Sequence, residues 1–174
     1  ESEVPEQAPA QHAYLNEDLI PLLTALGFSC EVHANPAGVD LPILVAQRVE
    51  QPGLPTVLMY GHGDVVRGNA AKWEAGRDPW RLQVEGDRWY GRGTADNKGQ
   101  HSINLEALRQ VITARNGKLG FNTTWLIETG EEAGSPGLAA FCEAQRSALA
   151  ADVFIASDGP RLNAERPTCL LYTS

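Results

Sequence analysis

Trp89-Tyr90-Gly91-Arg92-Gly93-Thr94-Ala95-Asp96-Asn97-Lys98-Gly99-Gln100 sets three glycines around a single carboxylate, Asp96. The stretch lies between a short strand, residues 87–90, and a helix whose apolar positions Ile103, Ala107, Leu108, Val111 and Ile112 recur at helical spacing. Glycine adopts backbone conformations that other residues resist and lets neighbouring groups approach the main chain. A loop of this composition is shaped to present Asp96.

Outward from it, strands and helices alternate. Towards the N-terminus, Thr56-Val57-Leu58-Met59-Tyr60 is an apolar run too short for a helix and bounded by Pro55 and Gly61, the pattern of a strand buried on both faces. It runs directly into Gly61-His62-Gly63-Asp64. Residues 67–81 predict an irregular surface loop with Trp73 and Trp80 partly packed. Residues 81–84 and 88–90 predict a small hairpin around Glu85-Gly86-Asp87. Further back, Leu15, Leu19, Leu22, Leu23 and Leu26 predict a helix over 12–26 that kinks or restarts at Pro21. A hairpin of segments 28–33 and 41–49 follows, turning at Asn35-Pro36-Ala37-Gly38, and residues 1–11 are expected as a flexible lead-in.

Towards the C-terminus, residues 121–128 predict a second central strand ending in Thr129-Gly130-Glu131-Glu132-Ala133-Gly134. Ser135 and Pro136 suit an N-cap and first-turn proline for a helix through Leu138, Phe141 and Cys142. Residues 152–156 form a third apolar strand, ending in Ser157-Asp158-Gly159-Pro160. The alternation predicts an α/β layered domain with a largely parallel central sheet flanked by helices.

Composition narrows the function. The chain has 174 residues, 43% of them hydrophobic, enough to bury the core of one domain. Its 14 basic and 22 acidic residues leave a net charge of -8, which argues against nucleic acid or an anionic membrane as partner. No run of about 18 apolar residues occurs, and residues 1–11 do not resemble a secretory leader. A cytoplasmic protein is expected. Cys30, Cys142 and Cys169 are odd in number and far apart, so neither a disulfide framework nor a cysteine zinc site is indicated.

In open α/β sheets the ligand site lies beyond the carboxyl ends of the strands. Four loops here carry imidazole or carboxylate at that place: His62 and Asp64, Asp96, Glu131 and Glu132, and Asp158. Each alone suits an ordinary turn; together they form a cluster of like charges that calls for a cation. Nitrogen and oxygen donors without cysteine suit zinc, manganese or cobalt. There are more donors than one tetrahedral ion uses, which suggests two ions sharing a carboxylate, with Asp96 as the bridge and an attacking water between the ions. The dinucleotide fingerprint, the Walker spacing and the Gly-x-Ser-x-Gly elbow are all missing.

Gly61-His62-Gly63-Asp64-Val65-Val66, Gly91 to Gly99, Glu128-Thr129-Gly130-Glu131-Glu132-Ala133-Gly134-Ser135 and Ser157-Asp158-Gly159-Pro160 resemble, in order and approximate spacing, four metal-site motifs of one zinc metallopeptidase family. That family includes glutamate carboxypeptidase, carnosinase-type dipeptidases, aminoacylase and succinyl-diaminopimelate desuccinylase. The resemblance implies the fold of zinc-dependent exopeptidases and two divalent ions. His62 and Asp158 would bind one ion, Asp96 would bridge, and Glu132 would bind the other. Glu131 would be the general base, and Asp64 would orient His62. A cis peptide bond between Asp96 and Asn97 is also implied.

The activity so implied is hydrolysis of a peptide or amide bond in a small substrate, of dipeptidase or carboxypeptidase type. An N-acyl-amino-acid deacylase or desuccinylase is the alternative, and a metal-binding but inactive fragment is the alternative of another class. The family pattern adds a further histidine, a dimerisation domain and a closing catalytic segment, none of which is found after Asp158. Residues 12–174 are therefore expected to be the N-terminal portion of a catalytic domain whose full-length protein is a homodimer. His101, on the helix after the glycine loop, is expected at the helix surface rather than as the missing ligand.

Overall fold

Leu15, Leu19 and Leu23, four residues apart, form one buried stripe along a continuous N-terminal helical run. The computed structural model describes residues 1–159 and the backbone of 171–172; Pro160, Cys169 and the ends of the segment after Asp158 lie outside the described residues. The run comprises α1 (Ala8–Ala13), a π-helical segment (Tyr14–Leu19) and α2 (Ile20–Ala25). Pro21 has no N–H to give to the carbonyl four residues back, and the wide turn before it absorbs that loss. The expected restart is thus a change of helix pitch. Within the expected lead-in, Pro5–Gln7 form a 3-10 turn, the Glu1 carboxylate accepts the Gly68 N–H at 2.9 Å, and Glu3 pairs with Arg67 at 3.0 Å.

β1 (Ser29–His33) and β2 (Ile43–Arg48) form the expected antiparallel hairpin, with Val32 opposite Leu44. β3 (Thr56–His62) follows, then β4 (Gln83–Glu85) and β5 (Arg88–Tyr90), which pair as a separate ribbon. Next come α3 (Lys98–Ala114), β6 (Asn122–Glu128), α4 (Leu138–Ala144), β7 (Val153–Ala156) and β8 (Leu171–Tyr172). The main sheet has the order β1-β2-β6-β3-β7-β8. Its centre, β6-β3-β7, is parallel, and antiparallel pairs extend it on both sides.

Alternation along β6 sends its side chains into two cores. Trp125 and Ile127 pack with Leu15, Leu19, Leu23, Leu105 and Leu108 beneath the N-terminal helix and α3. Leu126 packs on the other face with Ile43, Val45 and Phe141 of α4. Helices thus cover both faces, and all seven β6 residues are buried. One local expectation fails. Ser135 does not cap α4; it takes φ +51°, and its hydroxyl donates to the Glu128 carboxylate at 2.8 Å. The helix instead begins after Gly137 at φ +80°.

Parallel register brings the ends of the central strands together. His62 stands opposite Glu128, and Tyr60 opposite Ala156, so the loops leaving β3, β6 and β7 emerge at one edge of the sheet. The loop before α3 joins them there.

Candidate metal centre

His62, the last residue of β3, has no exposed side-chain surface. Its Nδ1 lies 3.2 Å from both the carboxylate and the carbonyl of Asp64. Its Nε2 lies 2.9 Å from Asp96, 3.5 Å from Asp158 and 3.8 Å from Glu131. An imidazole whose Nδ1–H is held by a carboxylate can offer an Nε2 lone pair to a cation once that nitrogen gives up its proton, and here Nε2 faces three carboxylates.

Asp64 is buried as completely as His62. Its two carboxylate oxygens accept the backbone N–H groups of Glu131 at 3.2 Å and Glu132 at 3.0 Å, at the opening of the short 3-10 turn Glu131–Ala133. One side chain therefore couples the imidazole to the paired glutamates. Burial disfavours its charge, but the bonds from His62 and the Glu132 amide outweigh that and hold its carboxyl below the usual range.

Asp96 is 61% exposed, on the loop that glycine shapes. Gly93 sits at φ +84°, and a Cβ on Gly99 would lie 1.9 Å from the Thr94 carbonyl oxygen. The Asp96–Asn97 peptide bond is cis, as the resemblance implied. Asn97 is wholly buried; its Oδ1 accepts the His62 N–H at 3.2 Å and its Nδ2 donates to the Ser157 carbonyl at 2.8 Å.

All five expected ligand and base residues meet here. His62, Asp96 and Asp158 bring one donor atom each to within 4.8 Å of one another, and His62, Glu131 and Glu132 do the same. His62 is common to both sets, while Asp96 enters only the first. The electrostatics show a site short of positive charge. Burial and neighbouring carboxylates push Glu131, Glu132 and Asp158 upward. Burial opposes protonation of His62, yet Asp64, Asp158 and Asp96 raise it to about 9. A divalent cation relieves this crowding, and the donors, one imidazole nitrogen and several carboxylate oxygens, are those that zinc, manganese and cobalt accept. The residues present fit such ions.

His101 corrects the expectation of a surface histidine. It is 1% exposed, packs edge-on against Trp125, and holds Nδ1 3.2 Å from the Tyr14 hydroxyl. Burial lowers its pKa to about 3, and it belongs to neither donor set. Several supporting residues were not anticipated. Lys98 donates to the Gly63 carbonyl beneath the Tyr14 ring, and Tyr60 donates to Glu128 at 2.6 Å. An asparagine at the start of a helix was a usable signal for Asn97; Tyr14, 87 residues from His101, offered none.

Known proteins resemble the chain in sequence and in fold. Residues 58–169 match the model of Peptidase family M20/M25/M40. The chain is 34% identical over 164 residues to a cysteinylglycine-S-conjugate dipeptidase of Corynebacterium striatum, covering 91% of this chain and 35% of that protein. It is 32% identical over 134 residues to the Beta-Ala-His dipeptidase of Rattus norvegicus, covering 74% and 26%. Among solved structures, an M20 family metallo-carboxypeptidase of Sulfolobus solfataricus superposes with a TM-score of 0.74 at 29% identity, over 92% of this chain and 33% of that one. Human carnosine dipeptidase 1 gives 0.71 at 27% identity, over 82% and 32%. The chain thus spans about a third or less of each relative's length. With the family match covering the sheet centre and every one of the clustered donors, the chain belongs to Peptidase family M20/M25/M40.

Proposed function

We propose that this chain carries the metal centre of a hydrolase that cleaves a peptide or amide bond in a small substrate, of dipeptidase or carboxypeptidase type. The observation that carries the proposal is the meeting of two nitrogen-and-oxygen donor sets at the buried His62. His62 and Asp158 would hold one divalent ion, Glu132 the other, and Asp96 would be shared between them. Zinc is the first assignment, with manganese or cobalt as the others that imidazole and carboxylate serve. Bound there, the two ions would polarise the substrate carbonyl and supply a nucleophilic water between them at neutral pH.

The remaining work belongs to the chain's own side chains. Asp64 fixes the His62 ring through Nδ1 and so aims Nε2 at the centre. Through the N–H groups of Glu131 and Glu132 the same carboxylate orients the glutamate pair. Glu131 is the general base, accepting a proton from water and returning it to the leaving amine. Its upward-shifted pKa favours a group that both takes and gives a proton. The dipeptidase names of the relatives support dipeptides over acyl-amino acids as substrates. For the whole protein we propose a cytoplasmic homodimer, joined through a domain outside the matched region.

The test is hydrolysis of dipeptides and N-acyl-amino acids with zinc, manganese or cobalt added. Dipeptides are expected to turn over faster. Glu131→Gln should lower kcat by about 10²- to 10⁴-fold while elemental analysis finds its metal content unchanged. Metal binding without turnover of any of these substrates by the full-length protein would remove the hydrolase assignment and leave the metal centre standing, while turnover at full length alone would mark this chain as an inactive fragment.

A further inference from the structure

We infer that Asn97 is a positioning residue that holds three ligand-bearing segments in register: the end of β3, the Asp96 loop and the loop after β7. The inference rests on the metal centre proposed above. Asn97 is the N-cap of α3, its carbonyl accepting the N–H groups of Gln100 at 3.1 Å and His101 at 3.2 Å. An asparagine in that place ordinarily turns its side-chain oxygen onto an N–H of the helix's own first turn. Asn97 makes no such bond. Its amide reaches across the molecule instead, to His62 N–H, 35 residues away, and the Ser157 carbonyl, 60 residues away, as well as to the Gln100 side chain.

The choice of partners is what assigns the role. The amide oxygen holds the backbone of His62 itself, the amide nitrogen holds the residue next to Asp158, and Asp96 is the chain neighbour on the other side. The whole first donor set is therefore tied to one buried side chain. One partner is a donor and the other an acceptor, which an amide satisfies and a carboxylate does not. The fold also keeps space for it. A Cβ on Gly61 would lie 2.7 Å from Asn97 Oδ1 and 2.1 Å from His101 Nε2, so only glycine before His62 leaves the amide in place. An apolar side chain of similar volume would leave the His62 N–H and the Ser157 carbonyl unpaired in the interior. Both segments would then shift towards other partners, and His62 and Asp158 would part.

Cobalt(II) added to the metal-free chain is the probe, its affinity read by competition with a chelator and its coordination by visible absorption. Asn97→Leu and Asn97→Asp should each bind cobalt about tenfold or more weakly than the unsubstituted chain, with an altered absorption band. The aspartate variant is decisive because added negative charge beside a cation by itself tightens binding. Weaker binding against that sign marks lost geometry, and it decides the matter even if Asn97→Leu does not fold. Leu105→Ala, a core truncation on α3, provides a comparison of general destabilisation and should bind cobalt as the unsubstituted chain does. Asn97→Asp binding as tightly as the unsubstituted chain, or Leu105→Ala losing as much affinity, would overturn the positioning role. If the unsubstituted chain takes up no cobalt, the metal centre itself fails and the positioning role with it.

Discussion

At the scale of single residues, Asp64 shows how much of the centre depends on a group that need touch no ion. Its carboxylate, itself buried with the imidazole of His62, satisfies that ring and two main-chain N–H groups of the glutamate turn. Asp64→Ala should therefore weaken zinc binding about 10- to 100-fold, as measured by isothermal titration calorimetry. Undiminished affinity would show that the glutamate turn and the imidazole hold their places without it. The clustered residues themselves were legible in the sequence because His62, Glu131, Glu132 and Asp158 stand at or after the ends of apolar strands, and Asp96 sits among glycines. The groups behind them were not. Tyr14 meets His101, and Asn97 meets Ser157, only after the sheet has closed distances that no local pattern records.

At the scale of elements, the start of α3 is where backbone crowding is greatest. A Cβ on Gly99 would meet the Thr94 carbonyl oxygen and carbon at 1.9 and 2.7 Å, and main-chain atoms cannot swing aside as a side-chain tip does. Gly99→Ala should cost about 1–3 kcal/mol, the usual range for overpacking, despite alanine's better helix propensity. Urea denaturation of the metal-free protein would read this as a lower midpoint; a midpoint at or above that of the unsubstituted protein would mean the loop yields freely. α3 and β6 were predicted well because their apolar patterns are long and regular. The entry to α4 was misread, since Ser135-Pro136 has the composition of a helix start while the serine hydroxyl is engaged by buried Glu128. Composition does not record whether a hydroxyl will accept from a helix N–H or donate to a carboxylate brought near by the fold.

At the scale of the whole molecule, two histidines set opposite limits on stability. Against the effect of burial, the carboxylates around His62 raise its pKa from the ordinary 6.5 to about 9, so its contribution is complete below about pH 6.5 and is lost as pH rises through about 9. His101 has a folded pKa of about 3, so its contribution is lost as pH falls below about 6.5, where the unfolded chain takes up a proton that the folded chain refuses. Thermal unfolding of the metal-free protein should therefore show a fall in melting temperature between pH 6.5 and 9, and His62→Gln should abolish that fall. A slope unchanged by the substitution would detach it from His62. The layered α/β plan and the parallel centre followed from the alternation of elements. That β2 pairs with β6 rather than with β3 did not, because hydrophobic patterns say which strands are buried and not which are neighbours. The π-helical segment Tyr14–Leu19 has a consequence of its own at this scale. It sets the angular phase between Tyr14, which lies within 2.7 Å of where a Gly63 Cβ would be, and the buried Leu23 of α2. Deleting one residue there would turn the preceding helix by about 100° about its axis. The aromatic ring would then swing away from Gly63 and Lys98 while Leu23 stayed seated. The length of that segment is in effect a ruler between the Tyr14 ring and the core seat of Leu23.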